Sequence, residues 1–154
     1  MGGPATIDGK DHDETDNFLI CSFTVDGVTY PSAEHYFQVQ KATNDNDKDK
    51  IRSSKTAMNS WVLGNKIKMR SDWEKVKVSV MYEGNKAKFE QNENFAEELK
   101  ASQGDIVFHN STLFWNKWNG IIIKRIRAEL RGTEEDLKIA EELKSLMEEY
   151  AAQK

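Results

Sequence analysis

The sequence is poor in the residues that cross-link or metal-stabilise small proteins. It has one cysteine, Cys21, so no internal disulfide can form, and this thiol lies in an apolar run typical of a buried side chain. Three histidines and one cysteine provide no set at zinc-ligand spacing. These shortages exclude a disulfide scaffold, and we predict no metal site and no cofactor.

Long apolar runs are also missing. Runs such as residues 120–123 are far shorter than the roughly 20 apolar residues that span a bilayer. The first 16 residues have neither a basic start nor an apolar core, so we expect no secretory signal. We therefore predict a cytoplasmic protein without a membrane partner.

Charge is unevenly distributed along the chain, whose formal net charge is −4. Residues 1–16 and 133–154 each carry −4, whereas residues 17–132 hold 18 basic and 14 acidic residues, a net +4. A mildly basic body suits a phosphate-bearing ligand. A solvated mixed surface explains the same excess equally well, and the excess is too small to indicate nucleic-acid binding by itself.

Turn and capping signals predict a hairpin followed by a helix. Asp26-Gly27 separates a β-rich run at 18–25 from Val28-Thr29-Tyr30, and Asp-Gly between two such runs favours a tight turn. Ser32 is a suitable N-cap for a helix over about 33–42.

The rest of the chain is mostly helical in pattern. We predict a flexible leader over 1–16, a polar turn over 43–49 and a short strand over 105–109. The predicted helices cover 55–63, a longer stretch from 72, 94–101, 121–130 and an acidic amphipathic stretch over 133–154. The fold class is therefore α+β, a mostly helical single domain with a small antiparallel hairpin or sheet.

The first predicted helix carries the most chemical information. Glu34, Gln38 and Lys41 recur at i, i+4 and i+7, so they share one face. The positive end of the helix dipole favours a carboxylate at Glu34, which we expect to stay ionised. A fixed carboxylate stabilises the positive charge that develops at C1 of a sugar during glycosidic cleavage. Lys41 becomes a nucleophile where an apolar pocket lowers its pKa.

The same pattern has a plain structural explanation. Glutamate is common in a first helical turn, and a Glu/Lys stripe usually lines a solvated face. His35 titrates in the right range for acid–base chemistry. Because it points away from the Glu34 stripe, we predict that it orients a loop instead.

A family resemblance favours the chemical interpretation. The run Tyr-Pro-Ser-Ala-Glu-His-Tyr-Phe-Gln over 30–38 resembles the signature of the NADAR (NAD and ADP-ribose) family with its YbiA-like N-glycosidases. Further segments resemble the family in order along the chain: Asn17-Phe18, 63–73, 76–81, 86–92 and 125–131. The resemblance implies a NADAR fold over 17–132. It also implies cleavage of an N-glycosidic bond, in riboflavin-pathway intermediates or in ADP-ribose linked to guanine.

The resemblance also implies roles for single residues. Glu34 matches the essential carboxylate, Lys41 the lysine that forms a Schiff base with ring-opened ribose, and Trp73 the tryptophan that stacks on the substrate base. A core role explains Trp73 equally well, since it starts an apolar stripe. The implied substrate-binding residues are Asn17, Phe18, Gln38, Thr112, Trp115 and Asn119.

Two departures from the family pattern bear on activity. Thr112 stands where the family has an aspartate, and threonine donates a hydrogen bond but supplies no charge. The glycine-rich loop of the family is cut short at Asn119-Gly120, and its first strand is hard to find in residues 1–16.

We therefore predict an N-glycosidase that acts on a ribosyl-phosphate or ADP-ribosyl compound, with ADP-ribosylated nucleic acid as a further substrate class. A weakened module that binds ADP-ribose without cleaving it is the alternative. A third hypothesis is a plain interaction protein that docks through its acidic last helix.

Overall fold

The computed structural model describes residues 2–154, which form seven α-helices and five short strands. The strands are β1 (Ala5–Ile7), β2 (Lys10–His12), β3 (Phe23–Val25), β4 (Val28–Tyr30) and β5 (Ile106–Val107). The helices are α1 (Ala33–Lys41), α2 (Asp45–Arg52), α3 (Ala57–Gly64), α4 (Trp73–Gln91), α5 (Glu93–Ala101), α6 (Leu113–Arg131) and α7 (Glu134–Ala152). A 3-10 turn covers Asp13–Thr15. The predicted class, mostly helical α+β with small antiparallel sheets, is confirmed.

Two antiparallel sheets flank the helices. One has the strand order β2-β1-β5, and the other is the β3–β4 hairpin. Asp26 and Gly27 join the hairpin with φ of 51° and 79°, and two left-handed residues match the twist of a two-residue turn. The Asp-Gly signal thus predicted this turn. The outer edge of β3 is covered by the Gln91 side chain, which bonds to both Thr24 N and Thr24 O at 2.7 Å.

The N-terminal segment differs from the predicted flexible leader. β1 and β2 pair around Asp8 and Gly9, both at positive φ, and β1 also pairs with β5. Ala5 and Ile7 of β1 are buried in the core. Two buried side chains in a three-residue strand are too few for composition or periodicity to detect. The division of the chain at residues 17 and 132 stays a prediction.

Two helices also depart from the predicted pattern. The polar stretch predicted as a turn forms α2, because Asn44 caps its N-terminus by accepting from Asp47 N at 2.9 Å. Ile51 is its only fully buried residue, which explains the missing apolar stripe. α6 begins eight residues before the predicted start, because Thr112 caps it by accepting from Trp115 N at 3.2 Å.

The core forms around α1, which packs against α2, α3 and α4. Tyr36 of α1 contacts Tyr30 of the hairpin with ring centroids 5.0 Å apart. On the other side it lies against Gly84 of α4, where an added Cβ would come 2.7 Å from the Tyr36 ring. α1 is thus held on several sides, which fixes the face that carries the predicted site.

The acidic last helix packs on its own domain. Ala140, Met147 and Tyr150 are its buried residues, and Tyr150 meets Trp118 of α6 edge-on with ring centroids 5.3 Å apart. The Tyr150 hydroxyl also donates to Glu74 O of α4 at 2.6 Å. No helix within residues 2–154 combines the length and the apolar character that crossing a bilayer requires.

Candidate active site

The start of α1 places Glu34 inside the protein. Ser32 caps the helix by accepting from His35 N at 3.1 Å, as its sequence position predicted. The preceding amide of the first turn, Glu34 N, donates to Asn17 O at 2.9 Å. Glu34 is fully buried, with no exposed surface. The first turn of α1 is therefore anchored to the Asn17 segment and not to solvent.

The predicted face of α1 forms as expected. The Gln38 amide donates to one oxygen of Glu34 at 2.6 Å, as i, i+4 spacing allows. The second Glu34 oxygen and the Gln38 carbonyl oxygen have no partner in the described chain. Gly64 makes room for that carbonyl, because a Cβ there would lie 1.9 Å from it. The Gln38 carbonyl oxygen therefore packs against Gly64, and one Glu34 oxygen is a buried acceptor without a hydrogen bond from residues 2–154.

Burial decides the charge preference of Glu34. Desolvation raises the pKa of Glu34, while the Gln38 hydrogen bond and the Lys41 charge lower it in part. The helix dipole alone predicts the opposite direction. Burial thus disfavours the ionised carboxylate, whereas positive charge that develops beside Glu34 favours it.

Lys41 lies at the other end of the same face, 7% exposed. Its ammonium is 5.7 Å from the Phe37 ring centroid and 5.9 Å from that of Trp73. Burial lowers the pKa of Lys41, opposed by the Glu34 charge and assisted by Lys77. Desolvation outweighs the carboxylate, so the shift favours the free amine that nucleophilic attack requires.

Aromatic rings surround Lys41. Trp73 is buried and meets Phe37 edge-on at 4.9 Å, and Trp115 of α6 meets the other side of Phe37 at 5.3 Å and 88°. Phe37 thus links the two tryptophans that the sequence predicted for the site. Trp73 is a core residue that also lies beside Lys41, and its stacking on a substrate base stays a prediction.

The remaining predicted residues lie at different distances from this centre. Asn17 contacts Glu34 directly through its carbonyl, and Phe18 follows it, half-buried. Thr112 is exposed and serves as the N-cap of α6. Asn119 is buried on α6 one turn after Trp115, and no hydrogen bond within residues 2–154 joins its side chain to α1.

His35 has a structural role, as predicted. It is fully buried, with Nδ1 2.7 Å from Ser32 Oγ and Nε2 3.0 Å from Ser54 O. These contacts tie α1 to the loop after α2. Burial lowers the pKa of His35, so the neutral ring is favoured.

Two open clefts lie away from this centre. One of about 610 Å³ separates the hairpin from α2, and one of about 490 Å³ lies between β5 and α6. Neither is lined by Glu34 or Lys41. We place the site at α1, because the buried carboxylate, the lysine and the unpartnered acceptors converge there, whereas the clefts show charged side chains at their rims.

Sequence reasoning missed two polar residues of α4. Asn85 donates to Asn17 Oδ1 at 2.9 Å, and Lys88 donates to Asp16 O at 3.4 Å. Both are buried. They lie in a helix with six lysines and glutamates among its exposed or half-exposed neighbours, so nothing in the local pattern separates Lys88 from surface lysines. For Lys88 the one available signal was the family-like segment 86–92 that contains it, and Asn85 lies just before that segment.

The chain is similar in sequence to known proteins. A family model described as the NADAR domain matches residues 4–116. N-glycosidase YbiA of Shigella boydii serotype 4 (strain Sb227) is 39% identical over 84 residues, which cover 53% of this chain and 52% of that protein. A riboflavin biosynthesis protein of Vibrio vulnificus (strain YJ016) is 34% identical over 95 residues, covering 60% of this chain and 26% of that protein.

A solved structure shows the same fold. The NMR structure of the E. coli protein YbiA superimposes with a TM-score of 0.68 at 30% identity, covering 86% of this chain and 82% of that one. In sequence, the chain spans about half the length of the YbiA relatives that it matches.

Proposed function

This chain belongs to the NADAR domain family, and from that premise we propose that it is an N-glycosidase that cleaves a ribosyl-phosphate or ADP-ribosyl compound. One observation carries the proposal: the buried Glu34 and the desolvated Lys41 lie on one face of α1, beside Trp73. The names of the relatives, N-glycosidase YbiA and riboflavin biosynthesis protein, support the reaction class.

In the proposed reaction the bond between sugar C1 and the base nitrogen breaks. Its electron pair leaves with the base, which takes up a proton. Glu34 stabilises the positive charge that develops at C1, and the free amine of Lys41 bonds to that carbon. The sugar ring then opens to an imine, which water hydrolyses to release the sugar and regenerate the amine.

The other predicted residues have supporting roles in this proposal. The unpartnered oxygen of Glu34 accepts from a sugar hydroxyl, and Asn17 and Phe18 border the sugar. Trp73 and Trp115 pack on the two sides of Phe37 and limit the space for the leaving base. Thr112 and Asn119 lie on α6, from which Trp115 extends, and contribute to the outer part of the site.

Product analysis tests the proposal. We would incubate the full chain with guanosine carrying ADP-ribose on its base, and separately with a phosphoribosyl amine of the riboflavin pathway. Chromatography should detect guanosine and ADP-ribose from the first compound, and the free base and the sugar phosphate from the second, at rates that a Glu34→Gln variant reduces. Tight ADP-ribose binding by calorimetry with both compounds intact would replace the proposal with the binding-module alternative.

One observation favours that alternative. Thr112 caps α6 and provides no charge where the family has an aspartate. A site that lacks one charged group retains contacts for a ligand while stabilising the transition state less well. The product analysis above separates the two functions directly.

A further inference from the structure

A short turn links α4 to the first turn of α1. Lys88 Nζ donates to Asp16 O, and Asn85, one helical turn earlier, donates to Asn17 Oδ1 at 2.9 Å. Asn17 O in turn accepts from Glu34 N at 2.9 Å. The Asp16 carbonyl, which also accepts from Leu19 N at 3.1 Å, is therefore contacted by α4, and the Asn17 carbonyl by α1.

Burial of Lys88 at this position costs folding free energy. It has no exposed surface, and its one hydrogen bond is long, at 3.4 Å. The nearby carboxylates of Glu14 and Asp16 do not form an ion pair with it within residues 2–154. Burial lowers the pKa of Lys88 to about 8 in spite of them. An apolar side chain of similar length would fill the same space without this cost.

We infer that Lys88 is a positioning residue of the glycosidase site: its ammonium holds the Asp16 carbonyl and thereby fixes Asn17 and the first turn of α1, with Glu34, relative to Lys41. This inference rests on the proposed function. Lys88 does not touch the reacting atoms, and its effect passes through the turn. Misplacing a charged group by an ångström is enough to cost about 10²-fold in rate.

Lys41 and Lys88 act in opposite protonation states in this account. Lys41 attacks as the free amine, so activity rises as pH increases through its lowered pKa. Lys88 holds the turn as the ammonium, so activity falls as pH increases through about 8. The groups that face Lys88 are Glu14 from the 3-10 turn, Asp16 from the following turn and the Cys21 thiol. Burial raises the pKa of Cys21, so that thiol titrates at higher pH.

The test measures kcat and KM against pH for the full chain with ADP-ribosylated guanosine. Lys88→Arg keeps the charge at every pH, so the alkaline loss of activity should move upward or vanish. Lys88→Met should lower kcat by about ten-fold or more, with a smaller change in KM, while its melting temperature does not fall. Lys75→Met, an exposed lysine on the same helix, and Cys21→Ala should retain the wild-type profile.

A second readout does not depend on turnover. Hydrogen exchange of the Glu34 amide, which donates to Asn17 O, reports on this turn directly. In the wild type the exchange should accelerate above about pH 8 by more than the intrinsic effect of pH. In Lys88→Met it should be accelerated at all pH values. A wild type that turns over nothing refutes the proposed function only. Wild-type kinetics and wild-type Glu34 protection in Lys88→Met overturn the role of Lys88.

Discussion

Glu34 and Gln38 show how one burial pattern determines both stability and chemistry. Glu34 is fully buried with one partnered oxygen and one free oxygen. Such a carboxylate is costly to the fold, and the cost is reasonable at a site that stabilises positive charge in a transition state. Removing this charge should therefore help the fold and harm the reaction.

Glu34→Gln should lower turnover by roughly 10²-fold or more, as expected for loss of one electrostatic stabiliser. Its melting temperature at neutral pH should rise. Burial raises the pKa of Glu34 above its ordinary value of 4.5, so the folded protein binds this proton more tightly than the unfolded chain does. Stability contributed by this group is thus complete at low pH and is lost as pH rises through the folded pKa.

Calorimetry at several pH values, with the exposed Glu93→Gln as control, measures this effect. The variant should show a flatter dependence of melting temperature on pH than the control does. Equal turnover in Glu34→Gln and the wild type would remove Glu34 from the mechanism.

At the residue scale, helical spacing was sufficient to predict the contact between Glu34 and Gln38, because i, i+4 neighbours meet on any regular helix. Spacing could not predict that this face is buried, since a Glu/Lys stripe usually faces solvent. Burial of this face also raises the pKa of Glu34, against the effect of the helix dipole. Local pattern could not separate Lys88 from surface lysines, because its hydrogen-bond partner Asp16 is 72 residues away in sequence.

At the scale of the helices, Thr112 is the N-cap of α6, the helix that carries Trp115. Its hydroxyl accepts from Trp115 N and thereby fixes the first turn of α6, from which Trp115 reaches Phe37. Aspartate caps a helix as well as threonine and also favours the helix dipole. The position thus accommodates the residue that the family has there.

Thr112→Ala should lower the free energy of unfolding by about 1 kcal/mol, whereas Thr112→Asp should retain it. If the missing charge limits catalysis, Thr112→Asp should also raise turnover. Denaturant unfolding and product release measure the two effects separately. A Thr112→Asp protein that is stable but no faster would show that the departure at 112 does not limit the reaction.

The last helix should stabilise the domain without forming the site. α7 packs on α6 and α4 through Met147 and Tyr150, away from Glu34 and Lys41. Truncation after Arg131 should lower the melting temperature and leave ADP-ribose affinity nearly unchanged. Loss of binding in a truncated chain that is still folded by circular dichroism would place α7 in the site.

Elements were predictable where a local signal exists. The Asp26-Gly27 turn and the Ser32 cap are encoded in a few adjacent residues, and both form. β1 and α2 were missed because each buries only one or two side chains and depends on distant partners. Tertiary contacts, not local pattern, stabilise such short elements.

For the whole molecule, charge distribution predicts ligand preference. Residues 17–132 carry +4 between two segments of −4. The site should therefore bind ADP-ribose more tightly than ribose, and added salt should weaken only the charged ligand. Calorimetric titration at low and high salt measures this difference. Equal affinity for both ligands at low salt would contradict it.

The central claim is that Lys41 on α1 opens an N-glycosidic bond. Borohydride added during turnover of ADP-ribosylated guanosine reduces an imine to a stable amine. Mass spectrometry of the digested protein should then place a sugar adduct on Lys41, and Lys41→Arg, which keeps the charge but is a poor nucleophile, should show none. Guanosine released at an undiminished rate by Lys41→Arg, with the wild-type protein unmodified at mid-turnover, would contradict the account.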